Sequence, residues 1–369
     1  MTVPTLGTLS GRKLVTDLQS FGLQIGGDKG GIARKGGAGP SDHKTITIAG
    51  QTVMVPVYTS GAQRSPFQAS TPDQSGASTL LHDGRPLGTI HFPAAPRFYG
   101  LTTADGIPYW KIALLHGRDT LATTVHQTCI RYADRRTSCQ FCAIGQSLEA
   151  ERTIAHKTPA QLAEVAKAAM ELDNVRDMVL TTGTPNVIDR GAAVLAESAR
   201  AIRAAVDLPL QVQCEPPRDH GWFQRLRDAG ADSLGMHLEA ATQAVREKIM
   251  PGKATVSVDR YMDAFASAVP VFGRGQVNTY ILAGLGDTAA DILALAERLI
   301  ALGVYPFVVP FVPISGTPLE NHAPPSSDFM KSVLAPLGQM LREANMKSTD
   351  IRAGCGRCGA CSSLSAYEQ

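Results

Sequence analysis

Cys129-Ile-Arg-Tyr-Ala-Asp-Arg-Arg-Thr-Ser-Cys139-Gln-Phe-Cys142 places three thiols within fourteen residues, at the end of an apolar run, 121–130. Cys139 and Cys142 form a C-x2-C pair whose thiolates can reach one metal centre from a single turn. Cys129 needs a loop to fold it back. Three thiolates hold three irons of a 4Fe–4S cluster and leave the fourth iron open to a substrate or cofactor. A redox-inert structural site normally closes its coordination, so a three-cysteine set argues for chemistry.

Outward from this stretch, strands and helices alternate. Apolar runs predict strands at 121–130, 177–182, 208–214, 233–239, 276–282 and 307–312. Helical periodicity covers 161–172, 192–205, 222–229, 242–249, 258–269, 289–302 and 328–344. Thr158-Pro159 reads as a helix start, and Gly230 and Gly303 as stops. Six βα units in roughly 225 residues imply a parallel sheet with helical crossovers. A closed eight-fold barrel would need two more units, and a doubly wound sheet is the open alternative.

Upstream, 10–23 reads as a short helix with Leu14, Leu18 and Phe21 on one stripe. Residues 26–40 then hold seven glycines in fifteen positions, a flexible loop over the barrel mouth. The other reading is an anion grip by its backbone amides with Arg34 or Lys35; no G-K-[ST] follows, so it is not a Walker loop. Residues 45–57 alternate as a hairpin around Ala49-Gly50-Gln51, 60–78 reads as loop, and short strands are expected at 89–92 and 109–115. The expected division is a mostly-β extension at 1–118, an α/β core at 119–346 and a cysteine-rich tail at 347–369.

A hydrophobic content of 44%, 18% charged residues and a net charge of +2 suit a large buried core and give no electrostatic case for nucleic acid or anionic membrane. Residues 1–9 lack a signal-peptide pattern, and no window reads as a membrane span. Six of seven cysteines fall in two tight clusters, which suits metal binding in a reducing cytoplasm better than a disulfide framework. The seventh, Cys214, reads as a buried thiol. Gln211, Gln213 and Glu215 share one face of a strand, as do Gly235, His237 and Glu239. Buried polar groups need partners, and a lumen holding a polar ligand would supply them.

The Cys139-Gln-Phe141-Cys142 half of the first cluster resembles the signature of radical S-adenosylmethionine (SAM) enzymes, C-x3-C-x2-C with an aromatic residue before the last cysteine. The first gap departs from it, with nine residues rather than three. The resemblance implies a partial (βα)6 TIM-type barrel with the cysteine loop at the C-terminal face of the first strand. It also implies Cys129, Cys139 and Cys142 as catalytic cluster ligands and Phe141 against the adenine. Thr182-Gly183-Thr184 stands where the family has a glycine-rich SAM turn. Gln213 and Glu215 would face SAM from the third strand. Gly235-Met-His-Leu-Glu-Ala is similar to a run in biotin and lipoyl synthases, which puts His237 and Glu239 on the ribose or sulfonium end. Gly284-Leu285-Gly286-Asp287-Thr288 is similar to their "GLGET" turn against the adenine, and Pro310-Phe-Val312-Pro313 opens a run like their "P-x-x-G-T-P-L". This likeness spans about 121–345. The whole chain also resembles biotin synthase-like proteins encoded beside nitrilases in bacteria.

Such an enzyme would cleave SAM reductively to a 5′-deoxyadenosyl radical and abstract hydrogen from a small molecule. Its electron donor would be flavodoxin or ferredoxin. Cys355-Gly-Arg-Cys358-Gly-Ala-Cys361 predicts a second Fe–S cluster, for sulfur donation, electron relay or substrate binding. A zinc knuckle there would want a fourth ligand, with His322 or Cys214 available. The rival classes are a zinc-dependent barrel enzyme and a non-catalytic Fe–S sensor of iron or redox state.

Overall fold

The computed structural model describes residues 9–26 and 43–368. The glycine-rich loop with Arg34 and Lys35 lies outside the described residues.

Two sheets organise the chain. The smaller has six strands: β1 (Gln24–Ile25), β2 (His43–Ile48), β3 (Gln51–Pro56), β4 (Phe67–Ala69), β5 (Ala77–His82) and β6 (Arg85–His91), in the order β1-β4-β5-β6-β2-β3. Alternation buries Ile46, Ile48, Val53 and Val55 against Leu14, Val15 and Leu18 of the helix Leu9–Phe21, a core separate from that of the larger sheet. Two-residue turns with both φ positive, Ala49-Gly50 and Asp83-Gly84, join β2 to β3 and β5 to β6, as right-twisted hairpins require. Residues 60–78, expected as loop, contain β4 and the start of β5.

The larger sheet holds β7 (Leu114–His116), β8 (Thr120–Thr124), β9 (Asp177–Thr181), β10 (Leu210–Gln213), β11 (Ser233–Gly235), β12 (Val277–Ala283) and β13 (Val304–Pro310). Its order is β13-β12-β11-β10-β9-β8-β7, with β8 to β13 parallel and β7 antiparallel at the edge. Spatial order therefore follows chain order. Crossovers of one hand that never reverse direction put every helix on the same face and curl the sheet into part of a barrel; a doubly wound sheet reverses its order. The fold is thus the expected partial (βα)6 barrel.

Local chemistry starts its helices. Thr158 and Gln161 form a reciprocal capping box before Pro159–Asp173, and Thr288 with Asp291 repeats it before Ala289–Leu302. Three expectations are corrected. The strand expected at 121–130 ends at Thr124, where the chain leaves the sheet for the cysteine loop. Residues 109–115 divide into a helical turn, Tyr109–Ile112, and β7, so the barrel sheet begins upstream of 118. The strand expected at 233–239 stops at Gly235, and Glu239 takes a left-handed φ of 67° with one bridge to Ile281.

The tail crosses the N-terminal end of the barrel. The Cys355 amide donates to Gln211 Oε1 at 3.1 Å, Arg357 pairs with Asp119 and Asp177, and Ser362 Oγ donates to the Val308 carbonyl at 2.6 Å. It is gripped from outside as well, since Met54 N–H donates to the Ala360 carbonyl at 2.7 Å. The cysteine loop after β8 lies at the opposite, C-terminal end.

Candidate functional site

Backbone contacts hold the first cysteine loop. The Gln140 amide donates to Ile249 at 2.8 Å and the Gly252 amide to Thr137 at 3.1 Å, fastening the loop to the helices Gln243–Ile249 and Pro251–Ala254. Gly183 is required by close approach, because a Cβ there would run into the Thr128 carbonyl. The Gly183 amide donates to His126 at 2.8 Å, and Ile130 donates to Thr184 at 3.0 Å. Thr182-Gly183-Thr184 thus braces the loop from behind.

Two buried ion pairs flank it. Arg131 pairs with Glu215, which also accepts from Thr184 Oγ1 at 2.6 Å. Lys253 Nζ stands 2.9 Å from Glu239 Oε1. Burial alone would lower the Lys253 pKa, but Glu239 outweighs it and holds the ammonium charged. Burial, then the charge of Glu239, pushes the Cys139 thiol well above its ordinary range, and burial pushes Cys142 up to about 12. The charge of Cys129 adds to the rise at Cys142. Such thiols give up their protons when a cation takes their place, and three of them on one loop are the donor type of an iron–sulfur centre, although among the described residues no three His, Cys, Asp or Glu side chains gather around a single ion.

A cavity of about 330 Å³ runs through the barrel from Phe141 and Glu239 to Cys355, Cys358 and Cys361. Its middle is neutral. His237 Nδ1 accepts from the Tyr280 amide at 3.2 Å, so the neutral ring carries its proton on Nε2, which has no protein partner. Burial, with Lys253 adding to it, lowers the His237 pKa to about 3. Gly235 leaves the space into which Gln213, His237 and Asn278 converge; a Cβ there would lie 2.9 Å from both Gln213 Cγ and His237 Cε1. Neither Asn278 side-chain polar atom finds a protein partner, although the residue is fully buried. Buried groups of this kind await a ligand or water.

Of the residues expected to bind cofactor, Phe141, Gln213, His237, Glu239 and Val312 are on the cavity wall. Gln213 serves the opposite end from the one expected, donating to Cys355 Sγ at 3.1 Å. Thr182, Gly183, Thr184 and Glu215 stand behind the loop; Gly284, Leu285 and Pro313 are off the wall. Leu285 packs instead with Ile249 and Phe311, and Phe141 rests against that cluster. Asp287 accepts from the amides of Ala241 and Thr242, a structural role.

At the far end, the Tyr280 hydroxyl reaches both Cys355 and Cys361. Burial raises all three thiols, to about 12 for Cys355 and about 11 for Cys358. Neither residue considered as a fourth ligand is there. His322 Nε2 bonds the Gly284 carbonyl at 2.8 Å, and buried Cys214 lies among Glu215, Asp189 and Arg190. The imidazole at this end is His116 of β7, its Nδ1 3.4 Å from Cys358 Sγ and its Nε2 3.5 Å from Cys361 Sγ. A lone histidine in Leu114-Leu-His116-Gly117 has no ligand spacing to any cysteine, so nothing in the sequence flags it.

Residues 134–299 match the family model described as the radical SAM superfamily. The chain is similar to the bacteriochlorophyllide c C-7(1)-hydroxylase of Chlorobaculum limnaeum, 24% identical over 52% of this chain and 52% of that protein. It is also similar to lipoyl synthase of a Geobacillus species, 27% identical over 44% of this chain and 52% of that protein. It spans about half the length of these curated relatives. Among solved structures, methylornithine synthase aligns with a TM-score of 0.49 and 18% identity, over 67% of this chain and 69% of that one.

Proposed function

Because this chain belongs to the radical SAM superfamily, we propose that it cleaves SAM reductively and uses the resulting radical on a small organic molecule held in the barrel between two iron–sulfur centres. The observation that carries this is one cavity with Phe141, the neighbour of Cys142, on its wall at one end and Cys355, Cys358 and Cys361 on its wall at the other. When bound, a 4Fe–4S cluster and SAM supply a carbon-centred radical able to take a hydrogen atom from substrate.

The chain's own residues bind, orient and exclude water. Cys129, Cys139 and Cys142 would hold the cluster, and Arg131–Glu215 and Lys253–Glu239 set the charge around it. Glu239 Oε2 has no protein partner and is the acceptor at hand for a cationic or hydroxyl-bearing part of SAM. Phe141, on its apolar cluster, offers a face for the adenine. The volume and neutral polar belt suit a small uncharged substrate with an amide- or carbonyl-like group facing His237 Nε2. Cys355, Cys358 and Cys361 would hold the second centre.

Reductive cleavage needs an electron from outside the chain, and a flavodoxin or ferredoxin is the proposed donor. All seven cysteines are unpaired, in keeping with a proposed cytoplasmic setting. Among the described residues no helix is long and apolar enough to cross a membrane. The test is anaerobic reconstitution with iron and sulfide, then dithionite and SAM. Formation of 5′-deoxyadenosine and methionine is expected; iron-loaded protein that forms neither would overturn the proposal.

A further inference from the structure

We propose that His116 is the fourth protein ligand of the C-terminal centre, and that this centre is a two-iron, two-sulfide cluster with two protein donors on each iron. This rests on the reading above that Cys355, Cys358 and Cys361 hold iron and sulfide.

The position of His116 is built by the fold. In the antiparallel register His116 faces Thr120, so both side chains rise from the same face of the sheet. Thr120 and Cys358 line the same end of the cavity there. Gly117 follows with a φ of +61°; a Cβ on it would lie 2.6 Å from Cys358 Sγ and 3.1 Å from Ala360 Cβ. The missing side chain lets the tail close onto β7 and bring its sulfurs to the imidazole.

Spacing suits two donors on one iron. Sulfur and imidazole nitrogen on one tetrahedral metal, with bonds of about 2.3 and 2.1 Å, stand about 3.5 Å apart. Each ring nitrogen of His116 has one contact of that size, Nδ1 to Cys358 at 3.4 Å and Nε2 to Cys361 at 3.5 Å; in the proposed arrangement one nitrogen binds iron and the other hydrogen-bonds its sulfur. In a four-iron cluster each iron has one terminal donor, which would hold nitrogen and sulfur on the order of 6 Å apart. Among the described residues no three His, Cys, Asp or Glu side chains gather as around a single ion. Donors in pairs, His116 with Cys361 or Cys358 and Cys355 with the remaining thiol, are what a two-iron cluster takes. Four protein donors close the centre, leaving no open iron for substrate; electron relay and sulfur donation remain as its roles.

The test uses the full chain with Cys129, Cys139 and Cys142 changed to Ala, so that only the tail centre is read after anaerobic reconstitution with iron and sulfide. About two irons per chain are expected, with strong coupling to ¹⁵N-labelled histidine in pulsed EPR of the reduced protein. His116→Cys should keep the irons, lose that coupling and lower the reduction potential, because a thiolate adds negative charge. Irons retained with no strong nitrogen coupling, or a spectrum unchanged by His116→Cys, would overturn the ligand; about four irons in this variant would overturn the paired arrangement. A variant without iron, beside wild type that holds only four, would instead remove the second centre and this inference with it.

Discussion

The two cysteine groups sit at opposite ends of one barrel in opposite electrostatic settings. The first lies beside two buried ion pairs, Arg131–Glu215 and Lys253–Glu239. The second is contacted by the Gln213 amide and the His116 ring. Arg357, the nearest cation on its own segment, is taken up by Asp119 and Asp177. A site that admits a zwitterionic, sulfonium-bearing cofactor needs compensating charges held in place. A centre closed by protein donors needs hydrogen bonds to sulfur and a dry wall.

The sharpest way to break this comparison is to remove one thiol from each end. Cys139→Ala should abolish 5′-deoxyadenosine formation; cleavage at the wild-type rate would mean the SAM-bearing trio lies elsewhere. Cys358→Ala should lower bound iron and lose the coupled product while SAM cleavage survives, and full turnover would make the tail structural. Next in size is the ion pair. Glu239→Ala leaves the Lys253 ammonium buried without its partner and should cost about 3–5 kcal/mol in denaturant unfolding. Glu239→Leu with Lys253→Met together should recover much of that; equal losses in both variants would place the cost in packing instead.

The effect that vanishes at neutral pH is a pH slope. The folded-state pKa of His237 is depressed to about 3, below its unfolded value near 6.5. Its contribution to stability is therefore fully present above about pH 6.5 and is lost as pH falls toward 3, by up to about 1.4 kcal/mol per unit. His237→Gln should flatten the acid limb by that amount. An identical slope in the variant would show that the ring is not held neutral by burial.

Legibility followed the range of the interactions. Ala192–Ala205 and Ala289–Leu302 were readable to the residue, because helix periodicity and capping are local. The Asp83-Gly84 hairpin carried an equally local signal, yet its first strand starts inside 60–78, which read as loop, and of its second strand only the end, within 89–92, was expected. At β11 the alternation Met236, His237, Leu238, Glu239 runs on past the last paired residue, so pattern alone overextends the strand. His237 and Glu239 were legible as lumen residues from their phase, whereas Cys129, Cys139 and Cys142 read as a metal-binding set from residue type and spacing alone.

Sequence alone determined the alternating βα order, the two thiol groups and the polar phase of the lumen, since each is written within a few tens of residues. Tertiary structure decided which end of the barrel each thiol group occupies. It also decided that Gln213 turns toward the tail and that a histidine 239 residues before Cys355 stands at the second group. Curling of the sheet and return of the tail beneath it bring those groups together, and contacts across such separations leave no period or spacing in the chain.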